Sequence, residues 1–148
     1  YPFWDAATQK DGATQRANLA LLPTLAKRGW CDAAKDVSMG GVIGTLLMLL
    51  ETSGVGATLD LGTVPRPKSV PLPRWLLSFP SYGFLLSVRP HHVSAVQSLF
   101  HSRAIACEAV GRVTGDRLLT LTLGNETLPF WDLSDRSLTG FSHPYGRV

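Results

Sequence analysis

The sequence predicts an α+β domain with helices packed on a mixed sheet, and three observations lead there. Val42 to Leu50 is a continuous apolar run broken only by Gly44 and Thr45, long enough for a buried helix. Gly56 to Leu61, Gly83 to Val88, Ile105 to Val113 and Arg117 to Leu123 are short alternating or apolar runs, which read as strands. These segments follow one another as helix, helix, strand, short helix, strand, helix, strand, strand. Interleaving of that kind favours helices layered on a sheet over an all-α or all-β core.

Each element has a local reason. Residues 1–15 hold Tyr1, Phe3 and Trp4 and then a polar, Gly-containing stretch, so a linker with an aromatic anchor is expected there. Leu19, Leu21, Leu22, Leu25 and Ala26 recur at helical spacing, and Lys27-Arg28-Gly29 ends that helix. Pro23 marks either a kink or the helix's true start. The next helix is expected over 41–53, apolar all round and hence buried on several sides, with Ser53-Gly54 closing it. Pro65, Pro67, Pro71 and Pro73 make 62–73 an extended loop, and Pro73 to Ser78 suits a short helix. Pro90 opens a helix whose apolar face is Val93, Val96, Leu99 and Phe100. Thr114-Gly115-Asp116 reads as the turn of a hairpin joining the last two long strands. Thr127 to Leu133 adds a further strand, and the tail with Gly140, Pro144 and Gly146 is irregular.

Composition narrows the function classes. The 148 residues suit one domain, and 45% hydrophobic content can fill a core. Charged residues are only 17%, which fits a surface partly covered by another domain. The net charge of +3 is scattered, with no basic stripe, which argues against nucleic acid. No apolar stretch nears the ~20 residues of a membrane span, and Asp5, Gln9, Lys10 and Asp11 interrupt any signal-peptide pattern. Cys31 and Cys107 lack metal or redox spacing and read as reduced thiols, so a cytoplasmic location is expected. The start at Tyr1 rather than Met suggests a piece of a longer or processed protein.

The chemistry concentrates in Asp36-Val37-Ser38-Met39-Gly40-Gly41-Val42-Ile43-Gly44. Glycines at 40 and 41 permit positive φ and close approach of another group. The helix that follows would aim its free N–H groups at the loop, and a glycine turn at a helix start suits an anion. On this reading Ser38 Oγ and the N–H groups near Gly40, Gly41 and Val42 hold a phosphate, and Asp36 helps place Mg²⁺. The competing reading is an ordinary helix start, capped by Ser38 or Asp36, with glycines for tight packing.

Asp-Val-Ser-x-Gly-Gly at 36–41 resembles the signature of the C-terminal domain of the PurM-like superfamily. Members include aminoimidazole ribonucleotide (AIR) synthetase, formylglycinamide ribonucleotide amidotransferase, selenophosphate synthetase, thiamine-monophosphate kinase and the hydrogenase maturation factor HypE. The likeness runs on through Glu51-Thr52-Ser53-Gly54-Val55-Gly56-Ala57-Thr58-Leu59-Asp60-Leu61, Pro65, Pro67, Ile105-Ala106 and Gly111-Arg112-Val113. It covers roughly residues 20–124. Lys35-Asp36-Val37-Ser38-Met39 and the block Phe79 to Phe84 are similar to the AIR synthase-related proteins within that group.

The resemblance implies a layered α/β/α PurM C-terminal-like domain over 16–148, joined in the full-length protein to an N-terminal ATP-binding domain. It also implies an ATP- and Mg²⁺-dependent enzyme acting on a small substrate, with a homodimer formed through the missing domain. Met39 departs from the Asp or Gly of many relatives, and Ser81-Tyr82-Gly83-Phe84 replaces their Gly-Asp-[Tyr/Phe]-Glu block. Both departures argue against assuming the purine-pathway reaction. Met39 and the missing N-terminal half leave open a different class of function, a non-catalytic ligand-binding or assembly module that keeps the fold.

Other candidates have blander readings. Lys35 is read as a surface lysine, and His91 and His92 as surface histidines without metal partners. His101 and His143 form no constellation. Ser81 and Tyr82 either line a cleft or form a turn. Trp4, Trp30, Trp75 and Trp131 read as packing anchors. Cys31 reads as an inert thiol.

Overall fold

A computed structural model describes residues 3–141. His143, Pro144, Gly146 and Tyr1 lie outside the described residues. The architecture is the expected α+β class, with a mixed sheet and helices packed on it.

The chain enters as β1 (Phe3–Trp4), paired in parallel with β4 (Phe79–Pro80). The segment expected to be a linker therefore holds a short strand and the start of α1 (Gly12–Leu19). Asp11 caps α1, its carboxylate accepting the Thr14 N–H at 2.9 Å. The single helix expected near Leu19 is two, α1 and α2 (Leu21–Arg28), divided at Ala20. Pro23 explains the division, because it cannot donate to the Leu19 carbonyl and its ring crowds that group. Gly29, at φ 63°, ends α2, with Trp30 N–H reaching back to Leu25 O at 3.1 Å.

β2 (Ala33–Asp36) pairs antiparallel with β5 (Phe84–Ser87). Between them in sequence come α3 (Gly41–Ser53), β3 (Gly56–Asp60), the proline loop and α4 (Leu72–Leu76). Trp75 Nε1 donates to Pro65 O at 2.8 Å and pins the proline loop to α4. A 3₁₀ turn at Pro90–His92 leads into α5 (Val93–His101).

The main sheet runs β6–β3–β7–β8, with β6 (Gly111–Thr114), β7 (Leu118–Leu123) and β8 (Glu126–Asp132). Here the structure corrects the hairpin reading of Thr114-Gly115-Asp116. β6 and β7 are not paired with each other; β3 lies between them, antiparallel to β6 and parallel to β7. The turn passes over the start of β3, where a Cβ on Gly56 would stand 2.3 Å from Asp116 Oδ1 and 2.5 Å from Leu118 O. Asp116 closes the crossing by accepting from Thr114 Oγ1 at 2.7 Å. The real hairpin joins β7 and β8 through Gly124-Asn125, with Gly124 at φ 58°. Residues 105–110, expected as strand, are irregular until Val110 O accepts from Asp60 N–H at 2.7 Å.

Two cores result. In the first, Leu47 and Leu50 of α3 pack on Ala57, Leu59, Leu119 and Leu121 of the sheet, with Val64 and Leu133. In the second, Leu21 and Leu25 of α2 meet Val96 and Phe100 of α5 above Leu86 and Val88. α3 touches β3 on one side and β2 and β5 on the other, so its all-round apolar surface is explained. Among the described residues, no helix is long and apolar enough to cross a membrane.

Among the described residues, one charged group is inside. Glu51, near the end of α3, is 2% exposed. Its carboxylate accepts N–H groups from Leu138 at 2.8 Å, Thr139 at 2.9 Å and Gly140 at 3.3 Å, and also the Thr139 hydroxyl. Burial pushes its pKa up, but the bonds from Thr139, Leu138 and Gly140 outweigh that and leave it below the ordinary 4.5. The irregular tail is thus tied to the central helix by a carboxylate.

Replacing Glu51 by Ala removes these charge-assisted hydrogen bonds, and urea denaturation at pH 7 should record a loss of about 2–3 kcal/mol. Because the folded pKa lies below the unfolded one, the stabilisation is complete above pH ~4.5 and fades as pH falls through the folded value. Glu51→Gln should therefore flatten the decline in stability between neutral pH and pH ~3.

Candidate functional site

The loop between β2 and α3 is built by backbone geometry. Gly40 sits at φ 98° and Gly41 at φ 64°, so the chain turns through two left-handed residues before α3 begins. Gly41 is also fixed by contact: a Cβ there would lie 1.9 Å from the Leu76 carbonyl oxygen and 3.0 Å from Leu77 Cα. The last turn of α4 thus presses directly on the start of α3. Gly40 is less confined, its nearest neighbour to a Cβ being Gly44 Cα at 3.5 Å.

Internal bonds hold the loop. Gly41 N–H donates to Ser38 O at 2.9 Å, and Ser38 N–H donates to Thr45 Oγ1 at 3.1 Å. Thr45 is fully buried, so a hydroxyl inside the apolar run pins the loop from beneath. Gly44 N–H reaches Gly40 O at 3.1 Å.

No side chain caps α3; its N-cap is Gly40. The simple cap by Ser38 or Asp36 is therefore not what starts this helix. Among the described residues, the N–H groups of Gly40, Val42 and Ile43 make no hydrogen bond, and neither does the Ser38 hydroxyl. Gly40, Val42 and Ile43 are half-buried. The Gly41 N–H is spent inside the loop, so Gly41 shapes the turn rather than donating from it. The result is a helix start with no side-chain cap, at the positive end of the helix dipole.

Asp36 ends β2, its side chain 69% exposed and 3.9 Å from Lys35 Nζ. Lys35 is more buried, at 29%. Both line an open depression of about 460 Å³ on the flank of α3, with Thr52 and Phe84; Ser38, Gly40, Gly41 and Val42 do not line it. Asp36 and the loop donors therefore share one neighbourhood but not one pocket. Met39 projects from the loop at 65% exposure. Among the described residues, no group of three or more His, Cys, Asp or Glu could hold a metal.

The remaining candidates have structural partners. Tyr82 OH donates to Asn18 O at 2.9 Å, and Arg103 Nε donates to Asn18 Oδ1 at 2.8 Å, tying α1 to the strand region. Burial pushes the Tyr82 hydroxyl pKa up. Ser81 Oγ accepts Ala6 N–H at 2.8 Å and holds the entering chain. His92 stacks on Trp30, with Arg28 above the same indole at 4.5 Å, and His91 leans on His92. His101 Nε2 is 3.6 Å from Glu108. Trp4 meets Trp75 edge-on at 5.5 Å, and Trp131 Nε1 donates to Arg136 O at 2.8 Å. Cys31 donates to Ala33 O at 2.9 Å, and burial pushes its thiol pKa up, which suits an unreactive role. Thr45, Glu51 and the Leu76 carbonyl were missed from sequence. The only signal for the two side chains was a polar residue inside an otherwise apolar helix.

Comparison with known proteins follows the same outline. The family described as AIR synthase related protein, C-terminal domain, matches residues 3–124. An uncharacterised protein of Synechocystis sp. is 52% identical over 139 residues, which is 94% of this chain and 43% of that protein. The phosphoribosylformylglycinamidine synthase subunit PurL of Methanopyrus kandleri is 32% identical over 114 residues, 74% of this chain and 14% of that one. Among solved structures, T. maritima PurL complexed with ATP superposes with a TM-score of 0.70 at 18% identity, over 86% of this chain and 22% of that chain. That likeness speaks to the fold. The chain spans well under half the length of the curated relatives it matches.

Gly41→Ala should lower stability by about 3 kcal/mol or more, combining left-handed strain with a backbone clash. Gly40→Ala should cost only about 1–2 kcal/mol. Chemical denaturation of both variants checks the difference.

Proposed function

The chain belongs to the AIR synthase related proteins, whose C-terminal domain it matches, and on that premise we propose that it forms one wall of an ATP-dependent active site in a longer protein. The uncapped start of α3 carries the reading. Free N–H groups at Gly40, Val42 and Ile43, with the Ser38 hydroxyl, are the donors a phosphate takes at a helix N-terminus. Gly41 holds the turn open by lying flat against Leu76. A PurL of the same fold has been complexed with ATP, which supports a nucleotide as the source of the phosphate.

Asp36 fits a supporting role toward Mg²⁺. Its exposed carboxylate supplies one oxygen, and that suffices for an ion that takes most of its ligands from water and phosphate. The ion would neutralise phosphate charge. The chain's own share is to position the phosphoryl group and stabilise its charge. The reaction class is phosphoryl transfer to a small substrate, or to a carbonyl or carboxyl oxygen that is thereby activated. The full-length protein would work as a cytoplasmic homodimer, its other domain closing the cleft.

Met39, exposed where many relatives carry Asp or Gly, favours a second reading: a module that binds a phosphorylated ligand without turning it over. The two readings part at turnover, not at binding.

Amide NMR of this chain, titrated with inorganic phosphate and then Mg²⁺–ATP, should give shifts confined to Ser38–Thr45. In the full-length protein, Val42→Pro removes one donor at a helix position that tolerates proline, and calorimetry should find ATP binding weakened about tenfold or more with circular dichroism unchanged. Asp36→Asn should weaken binding only when Mg²⁺ is present. Wild-type affinity in both variants would overturn the proposal.

A further inference from the structure

The open depression of about 460 Å³ beside α3 has a lining of its own. Successive strand residues point to opposite faces, yet Ala34, Lys35 and Asp36 of β2 all line it. It therefore lies against an edge of β2, and among the described residues β2 pairs with β5 alone, so that edge is free. Leu22 of α2 and Leu49 and Thr52 of α3 border it, and Phe84 of β5 adds a ring. Its lining thus combines one cation, one anion and apolar surface. Lys35 Nζ and Asp36 Oδ1 are 3.9 Å apart, too far for a hydrogen bond, so each keeps its bonding capacity for another partner. Thr52 Oγ1 donates its proton to Met48 O at 3.0 Å and has only lone pairs left to offer.

We propose that this depression binds a free α-amino acid with an apolar side chain, its carboxylate on Lys35 and its ammonium on Asp36. The charge pattern chooses the ligand class. A plain carboxylate drawn to Lys35 meets Asp36 as a like charge, and a plain amine drawn to Asp36 meets Lys35. An α-amino acid carries both charges on one carbon. Laid head to tail against the Lys35–Asp36 pair, it sets each charge on its opposite. Thr52 adds an acceptor for a further N–H, and the ligand side chain covers Leu22, Leu49 and Phe84. Lys35 is the more sheltered of the two charges, at 29% against 69% exposure, so its contact is the less screened by water. The volume falls within the range of about 300–1,000 Å³ common for small-molecule sites. Ser38, Gly40, Gly41 and Val42 do not line the depression, so this site stands apart from the phosphate reading and shares only Asp36 with it.

Titration calorimetry on the full-length protein without nucleotide tests this. L-phenylalanine and L-leucine should bind in the millimolar range. 3-Phenylpropionate and 2-phenylethylamine each keep the ring and one charge, and glycine keeps both charges without apolar surface; all three should bind about tenfold more weakly or worse. Lys35→Met keeps the side chain's length and removes its charge, and should weaken L-phenylalanine binding about tenfold with circular dichroism and ATP binding unchanged. No L-phenylalanine binding at millimolar concentration overturns the proposal. So does 3-phenylpropionate binding as tightly as L-phenylalanine, which would make the site a plain carboxylate site. Unchanged L-phenylalanine binding in the Lys35→Met variant places the ligand elsewhere and overturns it as well. The proposed function fails separately: L-phenylalanine binding without ATP binding removes that reading and leaves this site standing, and ATP binding without L-phenylalanine binding does the reverse.

Discussion

The structure depends on one constraint: α3 is apolar over most of its surface and needs more than one element to cover it. The sheet takes one face, and β2 with β5 takes another. A helix so enclosed cannot leave polar groups at its ends to chance, because an unpaired buried donor or acceptor costs about 1–3 kcal/mol. The two ends solve this differently. At the C-terminal end, the Gly54 and Val55 N–H groups reach back to the Glu51 and Leu50 carbonyls, while the Glu51 side chain goes inside and gathers the N–H groups of Leu138, Thr139 and Gly140. At the N-terminal end, the chain turns through Gly40 and Gly41, and among the described residues the N–H groups of Gly40, Val42 and Ile43 make no hydrogen bond.

That asymmetry places the candidate site. An ordinary helix start would satisfy its donors with a Ser, Thr or Asp side chain. Here Ser38 and Thr45 bond each other through backbone and hydroxyl, which fixes the loop without covering the helix end. Leu76 presses on Gly41 from the other side. The loop is therefore held by Thr45 on one side and Leu76 on the other, while the N–H groups of Gly40, Val42 and Ile43 stay unpaired among the described residues.

The Glu51 contact also reaches past the matched family region. The family matches residues 3–124, whereas the donors to Glu51 lie at 138–140. β8 and the tail beyond it extend the sheet and then return to α3. The central helix thus joins the family core to a segment outside that match. Fold likeness to PurL fixes the scaffold, while the chemistry depends on the particular donors and carboxylates set upon it.

The sequence by itself determined the parts whose cause is local. The apolar run at 42–50 reads as a buried helix, and the two adjacent glycines before it as a turn or a close helix contact. Family motifs spanning 36–61 identified the domain and drew attention to the loop. What the sequence could not decide were pairings between distant segments. Thr114-Gly115-Asp116 has the composition of a hairpin turn, yet β3 lies between its strands, because Gly56 lacks the Cβ that would block the crossing. Pro23, read from the sequence as a kink or a true start, divides the segment into two helices at Ala20. Glu51 looked like one polar residue in a motif until the tail folded over it. The same holds at the loop: which N–H groups are free follows from Ser38, Thr45 and Leu76 meeting in space, and only the tertiary structure brings them together.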